Sequence, residues 1–236
     1  MTFIVVNFIF IILIFLISAV IARILIPRIL LISLRKKLFD IPDDRKVHKR
    51  AIPRLGGVSF FPTTLFAFCL VYTFRLLGGD SVSTLYASYL LPELLLFACG
   101  MTLLYLTGIA DDLVGVRYRQ KFVIQIFCAC LFPLSGLWIN DLYGLFGIHE
   151  LSVYVGIPFT ILTVVFITNA INLIDGIDGL ASGLSSVALL IFTFLFIEKG
   201  LWSYAMLAAG TFGVLVPFFY YNVFGSVERA RKIFMG

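Results

Sequence analysis

Long apolar runs separated by short polar stretches set the pattern of this chain. Phe3 to Ala22 is a run of 20 residues without a charge, and no basic residue precedes it. It is too long for the core of a cleaved signal peptide, so it reads as a first membrane helix, with Pro27 permitting a bend near its end. Further helices are expected at about Gly57–Phe74, Pro92–Ala110, Phe122–Leu137, Gly156–Thr168, Leu180–Ile197 and Leu201–Tyr220. The stretch Trp138 to Gly156 is polar, aromatic and punctuated by glycine, which predicts a short β-hairpin at the outer membrane face. The expected fold is all-α: one polytopic membrane bundle over residues 1–236, with about seven transmembrane helices.

Composition sharpens this reading. The chain is 61% hydrophobic and 13% charged, with a mean hydropathy of +1.07; soluble domains carry about 25% charged residues. The four cysteines lie inside apolar runs, lack metal-ligand spacing and read as small buried hydrophobes. The net charge of +5 raises nucleic acid as a partner, but its distribution argues against one. When seven helices alternate across a bilayer, only Arg75 and Lys199 of the 18 Lys and Arg residues fall on one face. That face instead holds Asp80, Glu93, Asp141, Glu150 and Glu198. The positive-inside rule makes the basic face cytoplasmic and puts the N-terminus outside.

Against this background, a few polar residues stand out on the basic face. Asn169, Asn172, Asp175 and Asp178 interrupt two charge-free runs, and Asp111 and Asp112 end the third predicted helix. Ionised groups at a membrane boundary are costly and usually mark a site. Magnesium takes one or two carboxylates plus substrate phosphates, so four aspartates are enough to hold an ion and still supply a base. Asp175 and Asp178 are three apart, a spacing that a helical turn aims one way. Arg119 and Lys121 are placed to neutralise phosphate. The basic stretch from Arg35 to Arg54 includes His48 and Lys49. It reads either as an orienting loop or as part of a phosphate site, with Gly56 and Gly57 allowing close backbone approach. Structural alternatives stand beside these: Asp111 and Asp112 as local caps, and Gly179 with Gly183 as a small-xxx-small packing stripe. A transporter fits less well, because the carboxylates gather at one face and not at mid-membrane.

These residues resemble the motifs of the polyprenyl-phosphate N-acetylhexosamine-1-phosphate transferases. Arg45 to Gly57 is similar to the first cytoplasmic motif of that family, Asp111 to Lys121 to its aspartate pair with trailing base, and Asn169 to Ala181 to its third motif. Tyr221-Asn222 and Ala230 to Gly236 look like the start of its fourth. Pro53-Arg54-Leu55-Gly56-Gly57 is closest to the bacterial undecaprenyl-phosphate N-acetylglucosaminyl branch. The resemblance implies transfer of a sugar-1-phosphate from a UDP-N-acetylhexosamine to undecaprenyl phosphate, with release of UMP, in envelope polysaccharide synthesis. It implies Asp111 and Asp112 as catalytic residues, and His48, Lys49, Arg54, Arg119, Lys121, Asn169 and Asn172 as substrate-binding. Asp175, Asp178 and Asp112 would hold Mg2+, with Mn2+ as substitute. It further implies a multi-pass protein of the bacterial inner membrane with a cytoplasmic site, and a homodimer. The family's pattern continues beyond Gly236 with a further aspartate and a histidine-rich loop, so the expectation is a C-terminally truncated chain with little transfer activity of its own. The competing expectation is a non-enzymatic remnant or lipid-phosphate binder.

Overall fold

The computed structural model describes residues 2–36, 38–40, 52–53, 55–78, 81–225, 232–233 and 235. Its helices are α1 (Thr2–Lys36), α2 (Phe60–Leu77), α3 (Ser81–Val114), α4 (Tyr118–Leu134), α5 (Val153–Ile174), α6 (Leu180–Glu198) and α7 (Trp202–Val223). Seven α-helices among the described residues answer the seven expected, and the chain is an all-α, polytopic membrane bundle. Among the described residues, six are long and apolar enough to cross a bilayer. The exception is α4, with 17 residues. The apolar run continues past it, but the chain turns at Ser135 and Gly136, the latter at φ +91°.

Three helices outrun their predicted lengths by two turns or more. One is α5, which runs over Val153–Ile174 where Gly156–Thr168 was expected, so Asn169 and Asn172 lie on its last turns. α1 has 35 residues and passes through Pro27 without ending. At 1.5 Å per residue it is roughly 50 Å long, more than the ~30 Å hydrocarbon core, so its charged end lies beyond the apolar slab. α3 starts at Ser81 and carries Pro92 inside it. A charge-free run marks what lies in hydrocarbon; it does not mark where backbone hydrogen bonding stops.

The chain divides into two compact units. In the unit formed by Met1–Asp80 and Ile174–Gly236, α7 is the central helix, with 61% of its apolar span buried. α1, α2 and α6 pack on it. Small residues allow the close approach: a Cβ on Gly213 would come within 2.5 Å of the Phe15 carbonyl oxygen on α1, and one on Gly210 within 3.1 Å of Ile14. Near one end of the unit, Ala22, Ile26 and Leu30 of α1 bury against Val214, Phe218 and Ile233. Phe60 meets Phe218 edge-on at 4.9 Å. At the opposite end, the buried Arg75 donates from Nε to Asn7 Oδ1 at 2.7 Å. Two-residue strands β1 (Phe39–Asp40) and β2 (Ile52–Pro53) pair antiparallel, an element the sequence did not suggest.

The other unit, Ser81–Leu173, packs α3 against α4. The predicted hairpin is present in minimal form. Asp141 and Glu150 make one antiparallel bridge, and Leu142 N–H donates to the His149 carbonyl at 3.0 Å. Thr160 joins this loop to α5 by accepting from Ile139 N–H at 2.8 Å and donating to the Gly156 carbonyl at 2.7 Å.

Candidate functional site

The sequence-predicted residues fall into two clusters, one in each unit. In the Ser81–Leu173 unit, α3 ends just past Asp111 and Asp112. Gly115, at φ +74°, closes the helix with its N–H on the Asp111 carbonyl at 3.0 Å. The Asp111 side chain then spans the turn into α4. Its Oδ1 accepts from Val116 N–H at 2.9 Å, and its Oδ2 pairs with Lys121 Nζ at 2.9 Å. The local role weighed for this residue is therefore real: Asp111 fixes the α3–α4 turn and the lysine that follows it. Asp112 is half-buried one residue on, about 100° further round the helix.

Asp111 and Lys121 line a cleft of about 650 Å³ together with Tyr118, Gln125, Asn169 and Asn172. Four predicted site residues are thus neighbours: Asp111, Lys121, Asn169 and Asn172. Arg119 is not among them. It donates to the Tyr118 hydroxyl at 3.0 Å and borders a mainly apolar groove with Leu103, Leu106 and Val123. Gln125 escaped the sequence reading. It is a lone amide in an apolar run, 5% exposed, and its Oε1 accepts from Asn169 Nδ2 at 2.7 Å.

The second cluster sits between α5 and α6. Asp175 and Asp178 do not share a helical turn, as their spacing suggested. The backbone from Ile174 to Leu180 makes consecutive tight turns, with Ile177 N–H on the Ile174 carbonyl and Leu180 N–H on the Ile177 carbonyl. Asp175 is 7% exposed. Asp178 Oδ2 is paired with Lys232 Nζ. The turn is tied to the end of α7 by Asn222, whose Oδ1 accepts from Gly179 N–H at 2.6 Å and whose Nδ2 donates to the Ile233 carbonyl at 3.0 Å. Gly57 N–H donates to the Met235 carbonyl at 2.7 Å, and a Cβ on Gly57 would sit 3.1 Å from that oxygen. The close approach expected of Gly57 is therefore to the chain's own backbone. Asn222 and Lys232 lie in the stretches that resemble the family's fourth motif but are not among the expected site residues; for Asn222 the signal is an amide at the apolar end of α7. His48, Lys49 and Arg54 lie outside the described residues.

The donor chemistry fits a hard cation. Both carboxylates of the α5–α6 turn offer oxygen, the ligand magnesium prefers. Among the described residues, no group of three or more His, Cys, Asp or Glu gathers to hold a metal. A site here would rest on one or two carboxylates and borrow its remaining oxygens from substrate and water, which is how magnesium is commonly bound.

These features define a polytopic membrane protein with carboxylates, amides and lysines concentrated at the ends of its helices. The model of glycosyl transferase family 4 matches residues 94–236, more than half of the sequence. The chain belongs to that family. It is 29% identical over 87% of its length to the probable undecaprenyl-phosphate N-acetylglucosaminyl 1-phosphate transferase of Bacillus subtilis (strain 168), covering 52% of that protein. It is equally similar, at 29% over 87% of its length and 52% of theirs, to the undecaprenyl-phosphate alpha-N-acetylglucosaminyl 1-phosphate transferases of Yersinia pestis and Escherichia coli (strain K12). The chain spans about half the length of the curated relatives it matches.

Proposed function

We propose that this chain carries the catalytic residues of a transferase that moves N-acetylglucosamine-1-phosphate from a UDP-sugar to undecaprenyl phosphate. The supporting observation is that one family match spans both the Asp111–Lys121 segment and the Asn169–Gly179 segment. In this reading an oxygen of the lipid phosphate attacks the β-phosphorus of the UDP-sugar. The bond from that phosphorus to the oxygen bridging it to the α-phosphorus breaks, and UMP departs with the electron pair. A polyprenyl-diphospho-sugar remains. Such a reaction needs placement and charge neutralisation more than covalent help from the protein.

Asp112 acts on the lipid phosphate as its base. Lys121, held by Asp111, meets phosphate charge, and Asn169 and Asn172 bind the nucleotide-sugar. Asp175 and Asp178 would hold Mg2+, which would supply neutralisation of charge on the diphosphate. His48, Lys49 and Arg54 contribute further phosphate contacts. The reaction serves envelope polysaccharide synthesis at the cytoplasmic face of a bacterial inner membrane, with the N-terminus outside and two copies of the chain forming a dimer.

The test is transfer of radiolabel from UDP-N-acetylglucosamine to undecaprenyl phosphate in membranes expressing the whole product of the gene. Asp112→Asn and Asp178→Asn are each expected to lower the rate by about a hundredfold or more, the scale seen when one preorganised electrostatic contact is removed. Wild-type rates in both variants would remove this assignment.

A further inference from the structure

We propose that Gln125 is a positioning residue for substrate: it orients the Asn169 carboxamide so that its carbonyl oxygen, and not its NH2 group, faces the bound nucleotide-sugar. The inference rests on the transferase reading above and goes beyond it by fixing the polarity of one contact.

The argument is one of hydrogen-bond valence. Asn169 has one amide nitrogen with two hydrogens, and one carbonyl oxygen. Its Nδ2 lies 2.8 Å from the Val165 carbonyl oxygen, one turn earlier on α5. A backbone carbonyl can only accept, so the atom facing it must be the nitrogen, whichever way the amide is first drawn. The second hydrogen is taken by Gln125 Oε1 at 2.7 Å. Both donors are then spent inside the protein. Asn169 is nevertheless exposed, and it lines the cleft with Asp111, Lys121 and Asn172. The polar atom left to the cleft is Oδ1, a pure acceptor. It suits an N–H or O–H of the ligand and repels an unprotonated phosphate oxygen.

The same geometry explains a buried amide on α4. Gln125 is 5% exposed in a helix that is otherwise apolar at that depth. A polar group in such a place costs free energy unless it is satisfied, and is usually retained for a reason. Helix-to-helix adhesion is one reason, and positioning is another. They differ in what they do to ligand affinity. If Gln125 is lost, one Asn169 hydrogen is released, and the amide is held by Val165 alone. The group then rocks and offers the ligand a mixed face, where a fixed acceptor is needed within a few tenths of an ångström.

The experiment measures the dissociation constant of UDP-N-acetylglucosamine for the whole gene product in nanodiscs, for the wild type and for Gln125→Met, Gln125→Glu, Asn169→Ala and Gln125→Met with Asn169→Ala. Gln125→Met is expected to weaken binding about tenfold, the worth of one hydrogen bond. Gln125→Glu keeps an acceptor for Asn169 Nδ2 and should lose less affinity than Gln125→Met. In the Asn169→Ala background, Gln125→Met should cause no further loss, because the residue acts through Asn169. If Gln125→Met does not fold, Gln125→Asn is read in its place, since it keeps the amide but is one methylene too short to reach. Wild-type affinity in the Met or Asn variant, or an equal loss in both backgrounds, would overturn the positioning role and leave the transferase reading standing. Failure of the wild type to bind the nucleotide-sugar would overturn the transferase reading, and this inference with it.

Discussion

Gly179 and Gly183 look equivalent in the sequence, yet the structure assigns them different jobs, and alanine substitution separates them. Gly179 is the residue before α6, at φ +76°. A side chain in that left-handed region costs about 1–2 kcal/mol. A Cβ there would also stand 2.5 Å from Val223 Cγ2 and 3.3 Å from the Phe219 ring. Relieving such overpacking typically costs a further 1–3 kcal/mol. Gly179→Ala should therefore lower stability by roughly 2–5 kcal/mol, with the strain falling on the turn that carries Asp175 and Asp178. Gly183 lies inside α6, where its Cβ would meet Phe219 at 3.4 Å, and it has no positive φ. Alanine is better than glycine in a helix interior by about 1 kcal/mol, so Gly183→Ala should be neutral or slightly stabilising. Thermal unfolding in detergent, followed by size-exclusion fluorescence, reads both. Equal destabilisation by the two substitutions would restore the packing-stripe reading and refute the claim that Gly179 is present for its backbone conformation.

Two further predictions follow from contacts on the same scale. Asn222→Ala removes both bonds that tie the α5–α6 turn to the segment after α7, and should cost about 2–4 kcal/mol by the same unfolding assay, two net hydrogen bonds plus a buried donor left unmet. Asn222→Asp keeps the bond from Gly179 but sets an acceptor against the Ile233 carbonyl, so it should not recover wild-type stability. Gly156→Ala would place a Cβ 2.4 Å from the Trp138 ring and 2.6 Å from the Ile139 carbonyl oxygen, and should lower the unfolding midpoint by an amount matching about 1–3 kcal/mol or more.

The helices were legible because hydrocarbon imposes a long apolar run on every spanning segment. Their limits were not. Nothing in the apolar count says that α1 continues to Lys36 or that α3 begins at Ser81, since a helix carries on into water when its backbone bonds are satisfied there. Four of the candidate residues were legible as polarity out of place: Asp111, Lys121, Asn169 and Asn172 stand out individually in the sequence and line one cleft. What held them was harder to see. Gln125 differs from its apolar neighbours by a single amide, and its partner is 44 positions away. Asn222 and Lys232 reach back 43 and 54 positions to Gly179 and Asp178. Sequence spacing carries no trace of such pairings unless a helix or hairpin sets them.

The two clusters share a division of labour that follows from the solvent. In a bilayer, a neutral amide is far cheaper to bury than a charge, and it can donate and accept at once. Amides accordingly do the fastening: Gln125 holds Asn169, and Asn222 holds both Gly179 and Ile233. In each cluster an ion pair sits at or beyond a helix end, Asp111 with Lys121 and Asp178 with Lys232. Each pair contains one carboxylate and one ammonium, so each is neutral before ligand arrives. The desolvation cost of an isolated charge is then avoided in the resting protein. Lys121→Met should cost about 1 kcal/mol or less in the same unfolding assay, because its pair with Asp111 is 28% and 31% exposed and Asp111 keeps its bond from Val116 N–H; a loss of several kcal/mol would refute this division of labour.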